Sequence, residues 1–155
     1  MENIEKMLAD LERAPDGFSE ALRGGSEAVL SRRPDEKNWS AKEIVCHVRD
    51  TEEYFLSRFQ MILSYDEPKF SPADAGRWAV ERQYHRNDAG EALTAFRQQR
   101  QETLVFIKDI KPNQWERACH HAIRGRMTLR DYLSLLAGHD KNHLDQIKRA
   151  LEGKG

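Results

Sequence analysis

Trp39-Ser40-Ala41-Lys42-Glu43-Ile44 is the stretch from which the fold can be read. Ser40 can cap a helix through its hydroxyl, and Glu43, three residues on, can reach back to the Ser40 amide. Trp39 and Ile44 occupy the two positions of a hydrophobic staple. Downstream, Ile44, Val45, Val48, Phe55, Phe59 and Ile62 recur at spacings of three and four, the period of one helix face. Asp66-Glu67-Pro68 closes the pattern, which predicts one long amphipathic helix over roughly 41–64.

The same signals recur along the chain. Thr128 with Asp131 opens a second capping pattern, and Leu129, Tyr132, Leu133, Leu136, Leu144, Ile147 and Leu151 continue it to about 152. Asp88 caps a helix over about 89–110, with Leu93, Phe96, Leu104, Phe106 and Ile107 facing inward. Ile4, Met7, Leu8 and Leu11 predict a helix over roughly 2–31, kinked or broken at Pro15-Asp16-Gly17, at Gly24-Gly25, or at both. Residues 66–87 form a long connection, with a short helix around Trp78, and residues 112–127 form another. Four helices and two long links predict an all-α fold, a four-helix bundle with crossover connections and no sheet of consequence. One domain is expected over 1–155.

Composition narrows the function. The 155 residues carry 25 basic and 26 acidic side chains, a net charge of −1, and a pI of about 6.6, so no general basic field suits nucleic acid. The longest stretches free of Asp, Glu, Lys, Arg and His, Phe59 to Tyr65 and Tyr132 to Gly138, span seven residues. A membrane-crossing helix needs about 20 apolar residues, so no membrane partner is expected. The opening residues lack a basic segment followed by an apolar core, and a cytoplasmic location is expected. Two cysteines, Cys46 and Cys119, are too few for a disulfide framework or a cysteine-based zinc site.

The histidines carry the chemistry. His139 and His143 are four apart on the last helix, on the stripe of Leu136 and Ile147. His47 follows Ile44 by three and precedes Thr51 by four, again on the inward side. Three imidazoles in one core are hard to satisfy without an ion. Neutral imidazoles bind a divalent metal, and three protein nitrogens leave a coordination position open for water or substrate. The residues also allow a second reading: two half-exposed helix histidines and one core histidine bonded to a carbonyl.

Trp39-Ser40 opening a helix, His47 seven residues on, Gly125-x-x-Thr128-Leu129 leading into the last helix, and His139-Asp140-x-x-His143-x-x-Gln146-Ile147 along it are found in this order. Together they resemble the DinB-like (DinB/YfiT) superfamily. The resemblance implies a four-helix bundle with a three-histidine nickel or zinc site whose ligands would be His47, His139 and His143. It implies no single reaction: some members resemble metal-dependent hydrolases, and others are S-transferases using low-molecular-weight thiols. The expected function is a metalloenzyme that activates water or such a thiol against a small-molecule substrate. The alternative is a non-catalytic metal-binding bundle acting as a homodimeric interaction protein, and a homodimer is expected either way.

Among the remaining residues, Asp50, three after His47, is a candidate catalytic residue, to orient a ligand or act as a base, set against a surface carboxylate. Asp140 points about 100° away from His139 around the helix and is not expected to be a ligand. His120-His121 in the 112–127 link read as a solvent-facing loop pair, with flanking the site as the alternative, and Cys46 as a small buried hydrophobe. Arg97, Arg100, Arg124 and Arg126 read as a solvated charged face, with an anion-binding role as the alternative. The substrate pocket is expected beside the open metal position, lined by the two long links.

Overall fold

The computed structural model describes residues 3–155. Its helices are α1 (Ile4–Leu22), α2 (Glu27–Ser31), α3 (Ala41–Ser64), α4 (Ala75–Glu81), α5 (Ala89–Lys108) and α6 (Leu129–Leu151). Its strands are β1 (Lys69–Phe70), β2 (Ala118–His121) and β3 (Gly125–Thr128). The long helices α1, α3, α5 and α6 form the bundle. α3 packs on α5 and α6, and α1 packs on the same two helices. Consecutive long helices α1 and α3 therefore face each other across the bundle, and so do α5 and α6, which is what crossover links require. Among the described residues no helix is long and apolar enough to cross a membrane.

The predicted caps are present. Ser40 Oγ accepts from the Glu43 amide at 3.2 Å, and the Ser40 amide donates to Glu43 Oε1 at 3.1 Å. Glu43 is also gripped by both sides of the Arg33 guanidinium, at 2.7 and 2.5 Å. Thr128 and Asp131 make the second capping box, at 3.1 and 2.9 Å. Asp88 caps α5 by accepting from the Glu91 amide at 2.9 Å.

At the amino-terminal end the break falls at Arg23–Ser26, with Gly24 at φ +75°, and α1 runs unbroken through Pro15. Proline lacks the N–H that would bond the carbonyl four residues back, leaving the Leu11 oxygen free. Arg100 Nη1 donates to that oxygen at 2.9 Å, so a buried guanidinium replaces the missing donor.

The structure also adds a sheet where none was expected. β1 pairs in parallel with β2, and β2 pairs antiparallel with β3 around a turn that places Gly125 at φ +77°. Strands of two and four residues are too short to show a period-two pattern. β3 runs directly into α6, because Thr128 both ends the strand and caps the helix.

Two apolar clusters fill the bundle. One centres on Phe59, Leu104, Leu133 and Leu136, the other on Phe18, Ile44, Phe96 and Ile147. The predicted histidine positions belong to the helix stripes between them.

Candidate metal centre

α3 contributes His47, and α6 contributes His139 and His143 one turn apart. His47 Nε2 lies 3.1 Å from His143 Nε2 and 3.3 Å from His139 Nε2. One ligand nitrogen from each ring lies within 4.8 Å of the other two. The structure thus brings together all three histidines singled out in the sequence. His47 is 6% exposed, and the other two are partly buried. The Trp39 ring packs at 5.0 Å from the His47 ring, and Phe55 at 5.2 Å from His139. The tryptophan of the helix-opening signal thus covers the first imidazole.

The donor set fits a divalent ion. Gln146 Oε1 lies 2.7 Å from His143 Nδ1, so the His143 proton sits on Nδ1 and Nε2 presents a lone pair. Burial, reinforced by His143, lowers the His47 pKa to about 3. Burial, then His143, His47 and Arg100, lowers that of His139 to about 2. Burial also lowers that of His143, against the opposing bond to Gln146. The rings are neutral at ordinary pH. Three neutral imidazoles facing one point cannot all satisfy one another by pairwise hydrogen bonds, whereas one cation satisfies three lone pairs together. His47 Nδ1 is buried without a partner, so no protein acceptor fixes that ring. Nitrogen donors of this kind suit zinc, nickel, copper and iron, and among the described residues neither carboxylate nor thiolate joins the trio.

Asp50 is half-buried beside this centre. It accepts from Arg49 Nε at 2.8 Å and from the Tyr84 hydroxyl at 2.6 Å, and pairs with Arg82 at 3.0 Å. Burial opposes its ionisation, but the bonds from Arg49, Tyr84 and Arg82 outweigh it and hold its pKa below the usual carboxylate range. These contacts tie α3 to the link that follows α4, and among the described residues no histidine bonds Asp50.

Asp140 turns away from the trio, as the helix geometry implies. It meets Arg100, and here the reading of Arg100 as part of a solvated face is corrected. Arg100 is fully buried and holds Glu52 at 2.6 and 2.9 Å and Asp140 at 2.7 and 2.8 Å. Its pKa is raised: burial alone would lower it, and the bonds to Glu52 and Asp140 reverse that. The signal was present in the spacing. Phe96, Arg100, Thr103, Leu104 and Ile107 form one stripe, as do Val48, Glu52, Phe55 and Phe59, and also Leu133, Leu136 and Asp140. One ionisable residue on each of three apolar stripes is the pattern of a buried ion network. Cys46 is fully buried, as expected. His120 and His121 lie on β2: His120 is exposed and pairs with Glu67, and His121 is half-buried.

The DinB superfamily model matches residues 10–147, nearly the whole bundle. The chain belongs to the DinB superfamily. Among curated relatives, OB0413 of Oceanobacillus iheyensis is 24% identical over 97% of this chain and 87% of its own length. YfiT of Bacillus subtilis is 20% identical over 94% of this chain and 83% of its own length. Both bear the name "Putative metal-dependent hydrolase". The solved structure of B. subtilis YfiT matches with a TM-score of 0.88 at 19% identity, covering 97% of this chain and 88% of that one. It is described as a four-helix bundle of unusual topology, and the match shows that this DinB chain has that fold.

The depressed imidazole pKa values set a pH dependence. In the unfolded chain each histidine takes up a proton near pH 6.5, whereas in the native metal-free protein His47 and His139 stay neutral to about 3 and 2. Below about pH 6.5 the unfolded state therefore binds more protons, and stability falls as pH falls. Each such imidazole contributes a slope of about 1.4 kcal/mol per pH unit. Urea midpoints of the metal-free protein between pH 7.5 and 5 should show this slope, and a double variant carrying His47→Gln and His139→Gln should flatten it. Parallel lines for the two proteins would show that these rings do not titrate as described.

Proposed function

We propose that this DinB chain is a metal-dependent enzyme that activates water, or a low-molecular-weight thiol, for attack on an electrophilic small molecule. The observation that carries the reading is the convergence of three neutral imidazole nitrogens with no anionic ligand among them. The names of the curated relatives point to the hydrolase form, and nickel or zinc is the ion we assign, both being among those that imidazole donors suit. Bound there with its full double charge, such an ion supplies Lewis acidity that brings the pKa of a water or thiol toward neutrality.

The chain's own residues do the rest. Gln146 fixes the His143 tautomer so that Nε2 faces the ion site. Trp39 and Phe55 pack against His47 and His139 and restrict how those rings can turn. Asp50, kept ionised by Arg49, Tyr84 and Arg82, is the carboxylate assigned to steer a proton or orient a ligand near His47.

The test is metal analysis of untagged protein, followed by assays of ester and amide hydrolysis and of thiol–electrophile conjugation, each with and without chelator. Turnover that disappears with chelator and returns with nickel or zinc is the expected result. A protein that takes up neither metal would overturn the reading. Asp50→Asn is expected to keep the metal and lower the rate by about 10–100-fold, the usual effect of removing a group that supports a metal site. An unchanged rate would remove Asp50 from the mechanism.

A further inference from the structure

A second charged locus lies on the same wall of α3 as His47. Arg58 is half-buried, with its guanidinium carbon 4.1 Å from the Tyr54 ring centroid and 4.3 Å from that of Phe70. Its Nη2 donates to the Tyr54 hydroxyl and, at 3.3 Å, to the Ser71 carbonyl, while Nε is buried without a partner. Phe70 stands opposite His121 in the register of β1 and β2. His121 Nδ1 accepts from the amides of Ile123 and Arg124 at 3.1 and 3.2 Å, so its proton is on Nε2, which is left as a donor.

The two faces of the sheet differ in charge balance. On one face His120 and Arg126 are register partners, and both meet the Glu67 carboxylate, at 3.2 and 2.9 Å. On the other face are His121 and Arg58, with Arg124 on the turn, and among the described residues neither arginine has a carboxylate partner. The lowered pKa of His121 agrees: burial comes first, then Arg124 and Arg58, with no acidic group opposing them. Guanidinium held between two rings is preorganised for a planar or tetrahedral oxyanion, and a half-buried setting strengthens each charge-assisted bond.

This locus is connected to the metal centre by aromatic rings. Phe70 lies 6.2 Å from Tyr132, Tyr132 lies 5.5 Å from Phe55, and Phe55 lies 5.2 Å from His139. Tyr132 precedes His139 by seven residues, about 10 Å along the helix.

We propose that Arg58, with His121 and Arg124, is an oxyanion-binding subsite that anchors a carboxylate or phosphate of the substrate, eleven residues or about 16 Å along α3 from His47. The inference deepens the proposed function and rests on it for the reacting end. The substrate class it assigns is an elongated anionic molecule.

The subsite is tested on metal-free protein, independently of any ion. Arginine Nε–H signals are followed by NMR during titration with 3-phenylpropionate, phenyl phosphate and the uncharged 3-phenylpropanol. Both anions should move the Arg58 signal saturably and the alcohol should not, and the tighter anion names the headgroup. By calorimetry, Arg58→Gln and the double variant carrying His121→Gln and Arg124→Gln should each weaken anion binding at least tenfold. Arg126→Gln, on the compensated face, should change it less than twofold. The double variant alters positions outside the apolar core, so it decides the matter even if Arg58→Gln fails to fold. Equal binding of the alcohol, an unmoved Arg58 signal, or an equal loss in Arg126→Gln would overturn the subsite. Cobalt-loaded protein then tests the spacing: ω-mercaptoalkanoates should show an optimum chain length in the thiolate-to-cobalt absorption, lost in Arg58→Gln. Failure to hold cobalt would count against the metal reading, while the metal-free titration still decides the subsite.

Discussion

The His143→Ala protein is expected to purify folded, without stoichiometric divalent metal, and without metal-dependent turnover. His143 is one of three nitrogens that define the centre, and its loss leaves only His47 and His139, from different helices, facing each other at 3.3 Å. A ligand at a hundredfold above its Kd stabilises a protein by about 2.7 kcal/mol. Adding nickel or zinc should therefore raise the melting temperature of the parent protein by about 5–10 °C and leave that of the variant unmoved. Full metal content and turnover in the variant would rule out the three-histidine centre.

Arg100→Ala is expected to cause a large loss of stability, on the scale of truncating a fully buried core phenylalanine. The substitution removes the only cation among the described residues bonded to Glu52 and Asp140, which are 1% and 5% exposed, and also the donor to the Leu11 carbonyl that Pro15 leaves free. Breaking a buried ion pair from one side costs about 3–5 kcal/mol, because the stranded charge remains. Urea unfolding measures the effect directly. Asp140 shows the same dependence: burial raises its pKa, and only the Arg100 contacts oppose that. A triple variant carrying Arg100→Met, Glu52→Leu and Asp140→Leu should recover much of the loss, since apolar replacement of a whole buried network is often neutral or better. A loss below 1 kcal/mol in Arg100→Ala would show that the network adds little.

The consequence extends to the metal centre. Asp140 adjoins His139 on α6, and Glu52 lies on α3 five residues after His47, so the Arg100 network joins the two ligand-bearing helices through α5. Their relative register, and with it the approach of His47 to His139, depends on an ion network with no metal ligand in it.

Much of this was legible in the amino-acid sequence. A helix cap is decided within four residues and a stripe within a few turns, so Ser40 with Glu43, Thr128 with Asp131, and the stripes of Ile44 to Ile62 and Leu129 to Leu151 determined the bundle helices by local chemistry. The same periodicity put His47, His139 and His143 on inward faces, and their convergence in space followed once two such faces met. Other features depended on contacts that no local pattern encodes. A break at Gly24-Gly25 with continuity at Pro15 was settled by Arg100, which lies 89 residues from the carbonyl it satisfies. Arg100 itself read as a surface charge although its place on an apolar stripe signalled burial, and the stripe alone does not say which charges from other helices compensate it. The small sheet and the uncompensated face formed by Arg58 and His121 arise from pairing between segments about fifty residues apart. Local hydrogen bonding and hydrophobic period are written in neighbouring residues; charge pairing inside a core exists only after the helices have packed.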